Sequence, residues 1–231
     1  MVGDLIVLST HALQEVLRAL GPSFERASGR RLVVSYDPAQ ALKRRIENGA
    51  SFDVVIATRA AIDTLTQCGD VLAGSAVDIG RSGLGVAVRQ GAPNPGIGTV
   101  EAFQRALLAA RSIVRSTEGT SGIYFEQLIG RLGIADALRD KIKLGPSGRV
   151  AELVARGEAE MAVQQISELL PVAGADFVGP FPAEVQLWTD FSAGIGAASK
   201  SADAARSLID LLAAPAADAV LAAHGLERPP R

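Results

Sequence analysis

Residues 115–130 read Arg115-Ser-Thr-Glu-Gly-Thr-Ser-Gly-Ile-Tyr-Phe-Glu-Gln-Leu-Ile-Gly130. The run before them, Ser112-Ile113-Val114, is short and apolar and predicts a strand. It breaks into Ser116, Thr117, Gly119, Thr120, Ser121 and Gly122, after which Ile123, Gln127, Leu128 and Leu132 recur at helical spacing. The pattern is strand, polar glycine loop, helix N-terminus. Such a terminus leaves backbone N–H groups without partners and carries a positive dipole end. Glycines let a ligand approach that backbone, and hydroxyls add donors. One reading is therefore an anion site. The other is a well-capped helix, since Thr and Ser are ordinary caps. No Lys follows Gly122, so the phosphate-loop pattern is not met.

Working toward the N-terminus, the same alternation recurs. Asp4 to Leu8 predicts a strand, and Leu13, Val16, Leu17 and Leu20 place one apolar face on a helix. Gly21-Pro22 is expected to kink or break that helix, and Gly29 to end it. Arg31 to Tyr36 and Phe52 to Ala57 predict further strands, separated by a helix that Pro38 opens. Three strand–helix units in a row imply a parallel sheet with helices on its faces. Ligands gather at the carboxyl ends of such strands. Ser9, Thr10 and His11, then Asp37, then Thr58 and Arg59 fall there.

Working toward the C-terminus, Val77 to Val88 predicts one strand with internal glycines, and Thr99 caps a helix. After the glycine loop come a strand from Lys141 to Leu144, a helix capped by Ser147, a strand from Glu160 to Gln164, and another from Asp176 to Val178. These form a second α/β unit. Gln186 to Ala198 is expected to cross back to the first, and helices over Ala202–Ala213 and Ala216–Ala223 close the chain.

Composition narrows the function. At 231 residues, 48% hydrophobic and 21% charged, the chain is globular. A net charge of −2 disfavours nucleic acid as a partner. The apolar runs are too short to insert in a membrane. With two histidines and one cysteine, Cys68, no disulfide, metal site or cofactor is expected. The N-terminus has neither a basic flank nor a long apolar core. The chain as written is expected to be cytoplasmic, or periplasmic if a leader has been removed.

The opening Ile-Val-Leu-Ser-Thr, then Phe24-Glu25-Arg26-Ala27-Ser28-Gly29, then Ala41-Leu42 through Ile46-Glu47-Asn48-Gly49-Ala50, occur in an informative order with Phe52-Asp53-Val54-Val55-Ile56-Ala57, Gly157-Glu158-Ala159-Glu160 and Ser167-Glu168. Together these stretches resemble the type II periplasmic solute-binding proteins, in particular the molybdate-binding branch, which is also similar to aconitate isomerases. The resemblance implies a two-lobed α/β fold, each lobe a mostly parallel sheet flanked by helices. It assigns residues 1–84 plus 189–231 to one lobe and 85–188 to the other, with a ligand cleft between them. It also implies a monomeric receptor for a small anion, an organic acid or an oxyanion such as molybdate, serving an ABC-type permease or a sensing role.

Two departures favour a carboxylate. Asp37-Pro38-Ala39 stands where molybdate binders carry hydroxyls, and Gln164-Gln165 where they carry a tyrosine. Arg59 and Arg81 offer planar forks that suit carboxylates. Arg81 and Ser82 lie in a strand near the predicted crossover, where a charge needs a partner: a ligand, Asp78 or Asp37. The candidate ligand contacts are thus Ser9, Thr10, His11, Asp37, Thr58, Arg59, Arg81, Ser82, Thr120, Ser121, Gly122, Gln164 and Gln165. The alternative is an isomerase shifting a proton on an unsaturated polycarboxylate, with His11 or Glu118 as its base. No catalytic residue is assigned for the binding function.

Overall fold

The computed structural model describes residues 3–146 and 148–230. It divides into two compact units, Met1–Arg81 with Thr189–Arg231, and Ser82–Trp188. Each contains one five-stranded sheet.

In the first unit the order along the chain is β1 (Leu5–Ser9), α1 (Gln14–Ser28), β2 (Leu32–Tyr36), α2 (Ala39–Glu47), β3 (Val54–Thr58), α3 (Arg59–Cys68) and β4 (Val77–Ser82). The chain later returns as β10 (Thr189–Ile195), α9 (Ala202–Ala213) and α10 (Asp218–Ala223). The sheet order is β2-β1-β3-β10-β4. β1 runs parallel to β2 and β3, whereas β10 is antiparallel to β3.

Successive strand residues point to opposite faces, and both faces are covered, which is why the strands read as unbroken apolar runs. Leu5 and Val7 pack with Leu13 and with Val16 and Leu17 of α1, and with Leu208, Ile209 and Leu212 of α9. Leu8, Val55 and Ala57 meet Leu42 and Ile46 of α2 and Ile62 and Leu65 of α3 on the other side. Each such buried side chain contributes about 1.5–3 kcal/mol.

The second unit comprises β5 (Leu84–Arg89), α4 (Val100–Ala109), β6 (Ile113–Ser116), α5 (Thr120–Arg131), α6 (Ala135–Leu138), β7 (Ile142–Gly145), α7 (Val150–Ala155), β8 (Met161–Gln165), α8 (Ile166–Leu169) and β9 (Ala175–Pro180). Its order is β7-β6-β8-β5-β9. Here β6 is parallel to β7 and β8, and β5 is antiparallel to β8 and β9. One face packs Val86, Ile113 and Val163 against Phe103 of α4 and Phe125 and Leu128 of α5. The other packs Ala87, Val114 and Ala162 against α7.

Two local expectations are revised. Gly21-Pro22 does not break the first helix, which runs from Gln14 to Ser28 before Gly29 ends it at φ 66°. Pro22 is exposed, and the buried Val16, Leu17 and Phe24 hold the helix on both sides of it. Val77 to Val88 is not one strand but two, parted at Gly83. Here the Gln186 side chain takes the place of a strand neighbour, accepting from Leu84 N at 2.7 Å and donating to Leu84 O at 2.9 Å. Ser147, expected to cap α7, lies outside the described residues.

Candidate functional site

In the second unit, β6 and β8 are parallel, so their carboxyl ends share one edge. Their last registered pair is Arg115 with Val163. One residue further stand Ser116 and Gln164, both buried to 1% exposure. The chain leaves Ser116, turns through Thr117, Glu118 and Gly119, and enters α5 at Thr120. Gly119 is the N-cap, and no side chain caps the helix. Gly122 is held so close to the preceding strand that a Cβ there would lie 2.0 Å from the Ser116 carbonyl oxygen. Only glycine allows that approach, which seats the N-terminus of α5 on the strand end. Ser121 is buried at the same place, while Thr120 and Glu118 are exposed. Arg115 is 8% exposed and donates to Ser116 O at 3.1 Å and to Glu126 at 2.7 Å, fixing the loop from below.

From β8 the chain enters α8 directly. Ser82 Oγ accepts from Ser167 N at 3.3 Å, and Gly83 O accepts from Ile166 N, which pins the start of α8. Gln165 is buried beside them. Burial pushes the Glu168 carboxyl up to about 7, against a hydrogen bond from Gln164 that acts to lower it. Three side-chain atoms at this edge, Ser116 Oγ, Gln164 Oε1 and Ser167 Oγ, are buried without a hydrogen-bond partner among the described residues.

The first unit presents a smaller group of the same kind. Register places Ser9 opposite Tyr36 and Ile56, so the carboxyl ends of β1, β2 and β3 lie side by side. Ser9 is fully buried and donates to Thr10 O at 3.0 Å. Thr10 Oγ1 is buried and unpartnered among the described residues. His11 stacks on Tyr36 at 6.1 Å between ring centres, with Nδ1 3.4 Å from Gln14 Oε1. Burial pushes the Tyr36 hydroxyl up to about 12.

The charged candidates are engaged by neighbours. Asp37 pairs with Arg45. Thr58 Oγ1 accepts from Ala61 N at 3.3 Å, capping α3. Arg59 binds Asp63 at 2.9 Å and Asp78 at 2.8 Å, and these bonds raise its pKa further. Arg81 binds Glu227 through Nε at 2.8 Å and Nη2 at 2.6 Å, and its backbone pairs with Glu227 as well. Glu227 is thus a partner of Arg81 that the sequence reading did not name.

The structure therefore gathers Ser9, Thr10 and His11 in one unit. In the other it gathers Ser82, Ser121, Gly122, Gln164 and Gln165, with Thr120 at the rim. Sequence reasoning missed Arg115, Ser116, Ser167 and Glu168. Ser116 stood inside the quoted loop, and Glu168 lies four residues beyond Gln164, across the junction of β8 and α8. Those spacings were the available signal. The unpartnered atoms in both groups are neutral, hydroxyls and an amide oxygen, and they lie beside the N–H groups of a helix start. Such donors hold an anion without a bare counter-charge. Among the described residues no three His, Cys, Asp or Glu side chains are placed to hold a metal ion. No helix among them is long and apolar enough to cross a membrane.

Comparison with known proteins is consistent in fold and divided in activity. The family model described as bacterial extracellular solute-binding protein matches residues 5–227. An aconitate isomerase from a Pseudomonas species is 34% identical over 235 residues, spanning 99% of this chain and 89% of that protein. The molybdate-binding protein ModA of Azotobacter vinelandii is 26% identical over 220 residues, spanning 90% and 84%. A solved structure of the periplasmic molybdate-binding protein of Azotobacter vinelandii superposes with a TM-score of 0.83 at 22% identity, covering 98% of this chain and 100% of that one.

Proposed function

The chain belongs to the bacterial extracellular solute-binding protein family, and from that premise we propose that it is a monomeric receptor for a small organic acid, a di- or tricarboxylate. The observation that carries this reading is the set of buried polar atoms left unpartnered at the strand ends: Ser116 Oγ, Gln164 Oε1 and Ser167 Oγ beside the start of α5, and Thr10 Oγ1 in the first unit. Leaving a buried polar atom unsatisfied costs about 1–3 kcal/mol. A ligand that completes these groups recovers that cost. In the second unit Thr120, Ser121, Gly122, Gln164 and Gln165 are the proposed ligand contacts; in the first, Ser9, Thr10 and His11 are. An ABC-type permease is the proposed recipient.

Carboxylate is preferred to molybdate for two reasons. The second unit holds the Gln164 and Gln165 amides where molybdate binders hold a tyrosine. The relative at 34% identity is named for aconitate, a tricarboxylate, and the molybdate-binding relative is more distant at 26%.

That same aconitate isomerase relative supports a second reading, a proton-shifting isomerase with His11 or Glu118 as base. Incubation with trans- and cis-aconitate in deuterated water, followed by NMR, separates the two. A receptor binds without interconversion or deuterium uptake. Conversion that His11→Gln or Glu118→Gln reduces by about a hundredfold or more would establish the isomerase instead.

A further inference from the structure

Arg115 is the only buried cation among the described residues, and it directly precedes Ser116 at the end of β6. Its side chain is 10% exposed. Nη1 donates to Ser116 O at 3.1 Å, and Nη2 donates to Glu126 Oε2 at 2.7 Å. A buried charge needs such pairing. The two bonds also hold the guanidinium between the strand end and α5, which carries Glu126. Ser116 O is the atom that a Cβ at Gly122 would strike, and Ser116 Oγ is one of the unpartnered atoms. The positive charge thus lies within about 10 Å of Ser116 Oγ and the first turn of α5, inside the range over which charges act in salt.

Glu126, Glu118 and Glu168 are the carboxylates of this edge, and burial sets the first two apart from the cation. The Glu126 side chain is 66% exposed, and Glu118 in the loop is exposed as well. Water and ions screen such groups strongly and a buried charge much less. Burial drives the Glu168 carboxyl toward its neutral form. The field at the start of α5 is therefore positive, the guanidinium adding to the helix dipole.

We infer that Arg115 is the counter-charge of the anion group in the second unit, acting through space from behind the loop and favouring a ligand with two or three negative charges over a monoanion. The inference rests on the anion reading of this group and adds the residue that makes it charge-selective. The unpartnered hydroxyls and amide oxygen are neutral, so they do not grade ligands by charge. Attraction to a fixed guanidinium grows in proportion to the ligand's charge. Arg115 is a positioning and specificity residue: Ser116 O and Glu126 hold it, and the ligand feels its field.

The test is titration calorimetry at pH 7 with succinate, citrate, trans-aconitate and molybdate, and the probe that binds the parent is carried to the variants. Glu126→Gln keeps an oxygen to accept from Nη2 and removes the opposing charge, so the tether stays and the probe should bind roughly threefold tighter. Arg115→Met should weaken binding by about tenfold or more. For a carboxylate probe, its preference over its own monomethyl ester should narrow in Arg115→Met by about threefold or more. Asp136→Asn removes the same charge from a side chain 91% exposed on α6 and should leave affinity unchanged. A brace without an electrostatic role predicts the opposite for Glu126: affinity unchanged or lower in Glu126→Gln. That result overturns the inference and leaves the carboxylate reading intact, as does parent affinity in Arg115→Met. Should Arg115→Met fail to fold, the exposed Glu126 variant decides alone. Binding of molybdate and of no carboxylate ends the carboxylate reading, and the same variants then test Arg115 on molybdate. Binding of no probe overturns both.

Discussion

Replacing Gly122 with alanine puts a methyl group where the structure has no room. The added carbon would sit 2.0 Å from the Ser116 carbonyl oxygen and 2.7 Å from its Oγ. Close carbon–oxygen contacts run at about 3.3–3.6 Å, so α5 and the end of β6 must part by more than about 1 Å. The obstacle is backbone, which cannot swing aside as a long side chain can. Overpacking a tight interior costs about 1–3 kcal/mol, and a forced backbone shift lies at the upper end. Alanine's helix advantage over glycine, about 0.5–1 kcal/mol, offsets part of this. The net expectation is a loss of about 2 kcal/mol, or roughly 4–8 °C in melting temperature for a chain of this size. Gly130 provides the control. It lies in the same helix and is exposed, and a Cβ added there would meet nothing within 4 Å. Gly130→Ala should raise the melting temperature by about 1–4 °C. Scanning calorimetry measures both, and ligand titration of each protein follows. Because Gly122 seats the helix start on the strand end, its variant should also lose affinity. A Gly122→Ala protein with the parent's stability and affinity would refute the close approach and its role.

Ser121→Asp places a carboxylate at the start of α5, where it suits the helix dipole but repels an anion. Folding should persist while affinity falls at least about tenfold by calorimetry. The Glu168 carboxyl titrates at about 7 in the folded chain, above its ordinary value of 4.5. The folded state therefore binds more protons between those values, and stability should fall as pH rises through that window, by on the order of 3 kcal/mol. Denaturation between the ordinary and the raised value should show that slope, and Glu168→Gln should flatten it. Phe103 is fully buried and meets Phe181 at 4.6 Å. Phe103→Ala should cost about 3–5 kcal/mol in urea unfolding.

Legibility in the sequence followed the range of the interaction. The strand–helix alternation could be read because β1, β3, β6 and β8 are covered on both faces and so begin as apolar runs, turning polar only toward their carboxyl ends. The loop from Ser116 to Gly122 stood out because hydroxyls and glycines interrupt that apolar pattern. What escaped depends on residues far apart in the chain. The split of Val77–Val88 arises from Gln186, far along the chain, pairing with Leu84. Arg81 pairs with Glu227, brought alongside by an antiparallel bridge. Pro22 misled because a proline signal is local, whereas the buried side chains around it hold the helix through packing. Glu168 follows a strand end, yet it is burial, which local spacing does not reveal, that gives the carboxyl its raised pKa.

The most direct test is titration calorimetry of the full chain against di- and tricarboxylates, molybdate and sulfate at neutral pH. A receptor for organic acids binds at least one carboxylate at a single saturable site, with molybdate at least about tenfold weaker. That ligand should also stabilise the fold by about 2.7 kcal/mol at roughly a hundred times its Kd. Tight molybdate binding with no response to any di- or tricarboxylate would contradict it.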